Sequence, residues 1–178
     1  MAKKQQPITA IRILRQIDIN HRKEKYPNAR YYYEDKSIND NSANGIMKCI
    51  EKFHSFIGGV AERIHTQGRK VDNRKTVVTA TGFNQTIGSV GYIPTTGRKG
   101  SADMSITFNA VNVKCEVKYG KDRQSEEQKK YQQDIEAAGG IYIIVKSFHD
   151  YLVWFGSKYG RHPMVAQAIT ELTPKKNS

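Results

Sequence analysis

Three side chains in the middle of the chain have types and spacing that could act together on a phosphodiester. Asp103 falls in the run 102–108, where Asp103, Ser105 and Thr107 alternate with Met104, Ile106 and Phe108. Glu116 and Lys118 fall in the run 113–119, where Lys114, Glu116 and Lys118 alternate with Cys115, Val117 and Tyr119. Alternate residues of a strand share a face, so each run has an apolar face for a core and a polar face left over. Asn109-Ala110-Val111-Asn112 reads as the hairpin turn between them. With the turn centred between Ala110 and Val111, Asp103 stands opposite Lys118 and Ser105 opposite Glu116, so Asp103 and Glu116 are diagonal neighbours. Diagonal positions lie about 7–8 Å apart at the backbone, a gap that two inward-leaning carboxylates can close around one divalent ion.

Such a set suits phosphodiester hydrolysis. Carboxylate oxygens hold Mg2+, the ion neutralises charge building on the phosphate, and a lysine positions or deprotonates a water or stabilises the transition state. The bland alternative is an exposed sheet face with a surface ion pair contributing about 0–1 kcal/mol. Charge weighs against it. The 178 residues carry 29 Lys plus Arg against 17 Asp plus Glu, a net +12. Residues 62–102 hold seven basic side chains, Arg63, Arg69, Lys70, Arg74, Lys75, Arg98 and Lys99, against Glu62 and Asp72. Clustered cations gain affinity for nucleic acid by releasing its condensed counterions. Arg98 and Lys99 are expected beside the site on the DNA backbone, with Arg69, Lys70, Arg74 and Lys75 as further phosphate contacts. Lys23, Lys25 and Arg30, leading into Tyr31, Tyr32 and Tyr33, form a second basic and aromatic patch able to grip a nucleic-acid strand, with an edge strand or a docked arm as the equal alternative.

Other chemistries find little support. Cys49 and Cys115 lack metal-ligand spacing and read as buried thiols of a reducing compartment. His21, His54, His65, His149 and His162 show no His-x-His or HExxH spacing, and Gly97 to Gly100 lacks P-loop spacing. No apolar run approaches the roughly 18–20 residues that cross a bilayer, and the N-terminus has no signal-peptide block. A cytoplasmic protein, without membrane association, is expected.

The elements that must position these residues follow from local pattern. Ile46, Ile50, Phe53 and Ile57 recur at helical spacing, so a helix is predicted over about 44–57, capped by Ser42 or Asn44 and stopped by Gly58-Gly59. Residues 60–66 read as a strand, and Gly68 to Gly100, with six glycines, as irregular or hairpin-rich around a β-like run at Thr76 to Ala80. Ser125-x-x-Gln128 is a capping box opening a helix to about Ala138, ended by Gly139-Gly140. Ile141 to Val145 is a covered strand, and a helix from Ser147 carries Leu152, Trp154 and Phe155. This order implies an α/β fold with a mixed central β-sheet flanked by helices. The organisation expected is a basic and aromatic N-terminal extension at 1–40 with one short helix at Ile8, Ile11, Leu14 and Ile17, a main domain at 41–160, and a C-terminal extension at 161–178 whose Lys175-Lys176 tail is unstructured.

Gly100-Ser101-Ala102-Asp103-Met104, Cys115-Glu116-Val117-Lys118, Ser125-x-x-Gln128 and Gly139-Gly140-Ile141-Tyr142, in that order, resemble the PD-(D/E)XK nuclease superfamily and most of all its VRR-NUC branch of phage and repair nucleases. The resemblance spans roughly residues 44–155, with its specificity in 100–146; Ala102 replaces the proline of the motif's name. It implies a restriction-endonuclease-like core and a Mg2+-dependent DNA endonuclease, structure-selective and phage-encoded, in which Mn2+ can substitute. Asp103 and Glu116 would bind the metal with the Val117 carbonyl, Lys118 would be the catalytic lysine, and Gln128 would point toward the site as well as cap its helix. Tyr131 is read as packing. Relatives often place an acid on the first helix, where Asn44 and Glu51 stand, with Glu62 beyond, and many act on duplex or branched DNA as homodimers. The alternative is a nucleic-acid-binding module that keeps the fold without catalysis.

Overall fold

The computed structural model describes residues 7–64, 68–94 and 97–173. Helices α1 (Ala10–Lys25) and α2 (Ala43–Ile57) lead into strand β1 (Val60–Arg63). Four short strands follow, β2 (Arg69–Asp72), β3 (Lys75–Val78), β4 (Asn84–Ile87) and β5 (Val90–Ile93). Then come β6 (Met104–Phe108), β7 (Val111–Val117), α3 (Glu126–Ala137), β8 (Ile141–Val145), α4 (Phe148–Tyr159) and α5 (Pro163–Leu172). Among the described residues the fold is therefore mixed α/β, with five helices and a central sheet of four strands in the order β1-β6-β7-β8. β1, β6 and β7 run antiparallel in turn, while β8 lies parallel to β7. A parallel pair needs a crossover, and α3 supplies it. No described helix is long and apolar enough to cross a membrane.

The sheet separates two unequal layers. Met104, Ile106, Val113, Cys115, Val117, Ile143 and Val145 turn their side chains to one core, which they share with Leu14, Ile46, Ile50, Phe53, Phe148, Tyr151, Phe155 and Val165. Four helices thus cover one face. On the other, α3 packs through a small cluster of Ala102, Tyr131 and Tyr142, with Ile135 against it. That polar face is where the alternation of 102–108 and 113–119 leaves its charged residues.

The helix ends obey local rules. The Ser42 hydroxyl accepts the Gly45 N–H at 3.0 Å to start α2, and Gly58 ends it at φ 76°. α3 has the complete capping box: Ser125 Oγ accepts the Gln128 N–H and Gln128 Oε1 accepts the Ser125 N–H.

Three sequence expectations change in detail. The strand read over 60–66 pairs only through Arg63, and His65 and Thr66 lie outside the described residues. The hairpin turns on two residues, Asn109 (φ 47°) and Ala110 (φ 61°), not four, so Phe108 pairs with Val111 and Met104 with Cys115. Two positive φ angles are what a two-residue turn needs to follow the strand twist. The stretch 68–100, read as irregular or hairpin-rich, does hold antiparallel ribbon strands among its described residues, with the β-like run at Thr76 to Ala80 falling on β3 as far as Val78. α1 and α5 are core helices: Ile13, Leu14, Ile17, Val165 and Ala168 are all buried, and Gln16 Nε2 donates to Glu171 Oε2 across them at 2.7 Å. The Lys175-Lys176 tail lies outside the described residues.

Candidate active site

The corrected hairpin register moves the pairing by two residues, which preserves parity. Met104 faces Cys115 in the last ladder pair, so one step further along Asp103 comes opposite Glu116 rather than opposite Lys118. Directly opposed side chains are closer than diagonal ones. Asp103 is fixed at this strand end from both sides: its carbonyl accepts the Ile64 N–H at 2.8 Å, and its Oδ2 accepts the Val117 N–H at 2.8 Å.

Glu116 is the centre of the arrangement. It is 1% exposed, and three donors surround its carboxylate. Lys118 Nζ lies 2.9 Å and Gln128 Nε2 2.5 Å from Oε1, and the Tyr142 hydroxyl donates to Oε2 at 3.3 Å. Burial pushes the Glu116 carboxyl above its ordinary range and the nearby Asp103 charge adds to this, while Lys118 and Tyr142 act in the opposite direction. Lys118 is buried too. Burial works to lower its pKa, but the Glu116 hydrogen bond and charge, together with Asp122 at 3.4 Å, outweigh it and hold the ammonium above the usual lysine range. Lys118 is thus a cation in this arrangement, suited to stabilising negative charge.

Gln128 performs both tasks that its position allows. Its Oε1 closes the capping box and accepts from Lys118 Nζ at 2.9 Å, while its Nε2 donates to Glu116. The loop before Asp103 docks on the same turn of α3. A Cβ on Gly100, which sits at φ 79°, would collide with the Glu127 carbonyl and the Gln128 amide. Arg98 and Lys99 lie along α3 in exposed ion pairs with Asp134 and with Glu127, the latter at 2.6 Å, and Arg98 also rests over the Tyr131 ring. Tyr131 itself is buried against Tyr142 and Ala102.

The residues read as further candidates sit elsewhere. Arg69 and Lys70 are in β2, Arg74 follows it and Lys75 opens β3, all exposed. Glu51 and Asn44 both engage Arg63, through Nε at 2.7 Å and Nη1 at 2.5 Å respectively. Glu62 is exposed and pairs with Ser105. His54 is buried in the aromatic core against Tyr151, His162 caps α5, and His65 lies outside the described residues. Sequence reasoning passed over two participants, Tyr142 and Asp122. Tyr142 is brought to the site by the parallel pairing that sets it against Lys114, a non-local contact with no local signal.

The donor set fits a hard divalent cation. Asp103 and Glu116 are oxygen donors on one sheet face, and the Val117 carbonyl follows Glu116 directly in the chain. Among the described residues no cluster of three or more His, Cys, Asp or Glu could cage an ion by itself. Mg2+ does not require one, since it keeps waters and shares substrate phosphates around one or two carboxylates. No protein-family model matches the chain, and no curated protein matches it.

Proposed function

We propose that this chain is a Mg2+-dependent DNA endonuclease with a restriction-endonuclease-like core, similar to the VRR-NUC branch of the PD-(D/E)XK superfamily. One observation carries the reading: a buried glutamate, Glu116, is held by Lys118 and Gln128 on the sheet face that also bears Asp103. A buried ion pair is weak evidence for a stabilising role, because desolvation offsets much of its attraction. A second carboxylate beside it makes the cluster costlier still, and such costs are typical of functional sites.

Asp103, Glu116 and the Val117 carbonyl would hold the ion, which when bound supplies charge neutralisation at the phosphate and a more acidic water. The remaining work falls to the chain. Hydrolysis forms a bond from a water oxygen to phosphorus and breaks the bond to a sugar oxygen, and negative charge grows on the phosphoryl oxygens between. Lys118, cationic and buried, stabilises that charge. Gln128 fixes the Lys118 ammonium through Oε1 and the Glu116 carboxylate through Nε2, so neither relaxes away from the other. The Tyr142 hydroxyl holds the second Glu116 oxygen.

The test is cleavage of supercoiled, linear, single-stranded and branched DNA by the full chain with Mg2+, with Mn2+ and with chelator. Metal-dependent cutting is expected. Binding to these DNAs without cutting in either metal would replace the proposal with a non-catalytic binding module.

A further inference from the structure

The four strands between β1 and β6 are one object. β2 pairs with β5, Arg69 opposite Ile93 and Asp72 opposite Val90, and β3 pairs with β4, Lys75 opposite Ile87 and Val78 opposite Asn84. The register is the same in both pairs, and between them the Asn73 N–H donates to the Ser89 carbonyl at 3.1 Å. Residues 69–78 and 84–93 therefore form a continuous two-stranded antiparallel arm, about 30 Å long at ~3.3 Å per residue. Its tip is closed by Thr79, whose N–H donates to the Phe83 carbonyl at 2.8 Å and whose hydroxyl accepts the Phe83 N–H at 3.1 Å.

Among the described residues nothing buries this arm. Its strands make their substantial contacts with each other, and all its residues except Val71 and Thr79 are exposed. Phe83 at the tip is 73% exposed, Val78 69% and Tyr92 67%. A lone two-stranded ribbon is marginal in water, and exposed apolar groups in this density mark a surface that a partner covers.

The distribution of charge selects the partner. Arg69, Lys70, Arg74 and Lys75 stand against the single acid Asp72, and all five lie on the first strand or beside it. The second strand, 84–93, has no charged residue and carries Asn84, Gln85, Thr86 and Ser89 among Ile87, Val90, Tyr92 and Ile93. One edge is thus cationic and the other bears amides, hydroxyls and apolar groups. A second copy of this chain would bring the same positive edge and a net +12 of its own. Duplex DNA is complementary: phosphates line the rim of its major groove, and base edges with donors, acceptors and thymine methyls line the floor. That groove, about 12 Å wide, admits a two-stranded ribbon, whereas the minor groove at about 6 Å does not without deformation.

We infer that the 69–93 arm lies in the major groove of the duplex substrate, with Arg69, Lys70, Arg74 and Lys75 on the phosphates and the tip around Phe83 reaching the groove floor. The inference rests on the reading of the chain as a DNA nuclease. It names the form of its substrate, a B-form duplex flanking the cut rather than a bare single strand.

The experiment measures binding by fluorescence anisotropy, without divalent metal, for three full-length proteins. These are the parent, a chain with 74–88 replaced by an Asn-Gly turn, and a chain keeping the whole ribbon but carrying R74S, K75S and F83S. The DNAs are a plain duplex, the same duplex with its cytosines replaced by glucosylated hydroxymethylcytosine, which fills the major groove, and the plain duplex with netropsin, which fills the minor groove. The parent should bind the glucosylated duplex about tenfold more weakly than the plain one and be indifferent to netropsin. The shortened chain should bind the plain duplex about tenfold more weakly than the parent and no longer discriminate. The triple variant should keep the parent's melting temperature and lose about 2 in the log-log salt slope, as two phosphate contacts are removed. It decides the matter if the shortened chain does not fold.

Equal parental affinity for plain and glucosylated duplex overturns the inference. So does displacement by netropsin, or a triple variant with parental affinity and salt slope. Arm-dependent dimers in sedimentation with unchanged duplex affinity would assign the arm to a second copy instead. Mg2+-dependent cleavage, measured in parallel, separates the two readings. A parent that discriminates the grooves as expected but never cuts upholds the arm and sinks the nuclease. A parent that cuts but binds both duplexes equally sinks the arm alone.

Discussion

The Asp103 carboxylate accepts the main-chain N–H of Val117 at 2.8 Å, just where β6 stops pairing with β7. A side chain takes the place of the next ladder partner. The same contact fixes Asp103 beside Glu116, so the chain uses one residue to end a hairpin and to complete a carboxylate pair.

Asp103→Asn can keep that hydrogen bond through its amide oxygen but loses the charge. Mg2+ affinity should fall at least tenfold with the melting temperature nearly unchanged, and high Mg2+ or Mn2+ should recover part of the cleavage. Asp103→Ala should also cost about 1–3 kcal/mol of stability, because the Val117 N–H is left without its partner. Calorimetric metal titration and thermal melting check both. Unchanged metal affinity in the Asn variant would remove Asp103 from the metal set.

Gln128 and Ser125 share one capping box but only Gln128 touches Glu116 and Lys118, so the pair separates helix stability from site function. Ser125→Ala should cost about 0.5–2 kcal/mol and leave single-turnover cleavage within a few fold. Gln128→Ala should cost a similar amount and slow cleavage at least tenfold. Urea unfolding and single-turnover rates decide; parallel losses in both variants would reduce Gln128 to a cap.

His54 predicts an acid limit to stability. Burial pushes its imidazole down to about 4, its Nε2 sits 2.5 Å from the Tyr151 hydroxyl, and its Nδ1 is buried without a partner. The unfolded chain binds a proton near pH 6.5 that the folded chain refuses. Stability is therefore full above about 6.5 and falls as pH drops toward 4, by up to about 3 kcal/mol. Urea unfolding across this window should show the decline in the parent and a shallower one in His54→Gln. Identical pH profiles would contradict the assignment to His54.

α1 is as much a part of the core as α2. Leu14 is fully buried, and Arg15 donates to the Ile38 carbonyl through Nη2 at 2.8 Å and Nε at 3.1 Å, tying the following segment to the helix. Leu14→Ala should destabilise the protein by about 2–5 kcal/mol, within the range for cavities in packed cores. A loss below about 1 kcal/mol in denaturant unfolding would make α1 an appendage.

What was legible in the sequence was local. The Ser125-Gln128 box, the Gly58 stop and the alternation within 104–108 and 113–117 depend on near neighbours and appear as read, whereas Tyr119, read onto the apolar face, lies beyond the end of β7 and is exposed. The hairpin register did not, because Asn109-Ala110 lacks the glycine that ordinarily marks a two-residue turn, and Ala110 at φ 61° is held by the strands it joins. The slip was even, so the polar face survived it; an odd slip would have turned Glu116 into the core. Tyr142 carries no site role in the sequence reading beyond its place after the glycine pair, because only the parallel β7–β8 pairing brings it near Glu116. α1 and α5 were underread because a few apolar residues at helical spacing identify a core helix only once their partners across the fold are known. The arm escaped as a unit because its register runs through the break at Asn73 and Arg74, where neither strand pattern nor turn signal is continuous.

The most direct test of the central claim is single-turnover cleavage of branched and linear duplex DNA by the parent and by Lys118→Ala, with metal affinity measured on the same samples. Lys118→Ala leaves Asp103 and Glu116 in place and removes a cation beside them. Metal binding should persist or tighten and DNA binding should remain, while cleavage falls by a factor of at least 100, as expected for loss of a charge that stabilises the transition state. Lys118→Ala cutting at the parental rate, or a parent that cuts none of these DNAs in Mg2+ or Mn2+, would contradict the account.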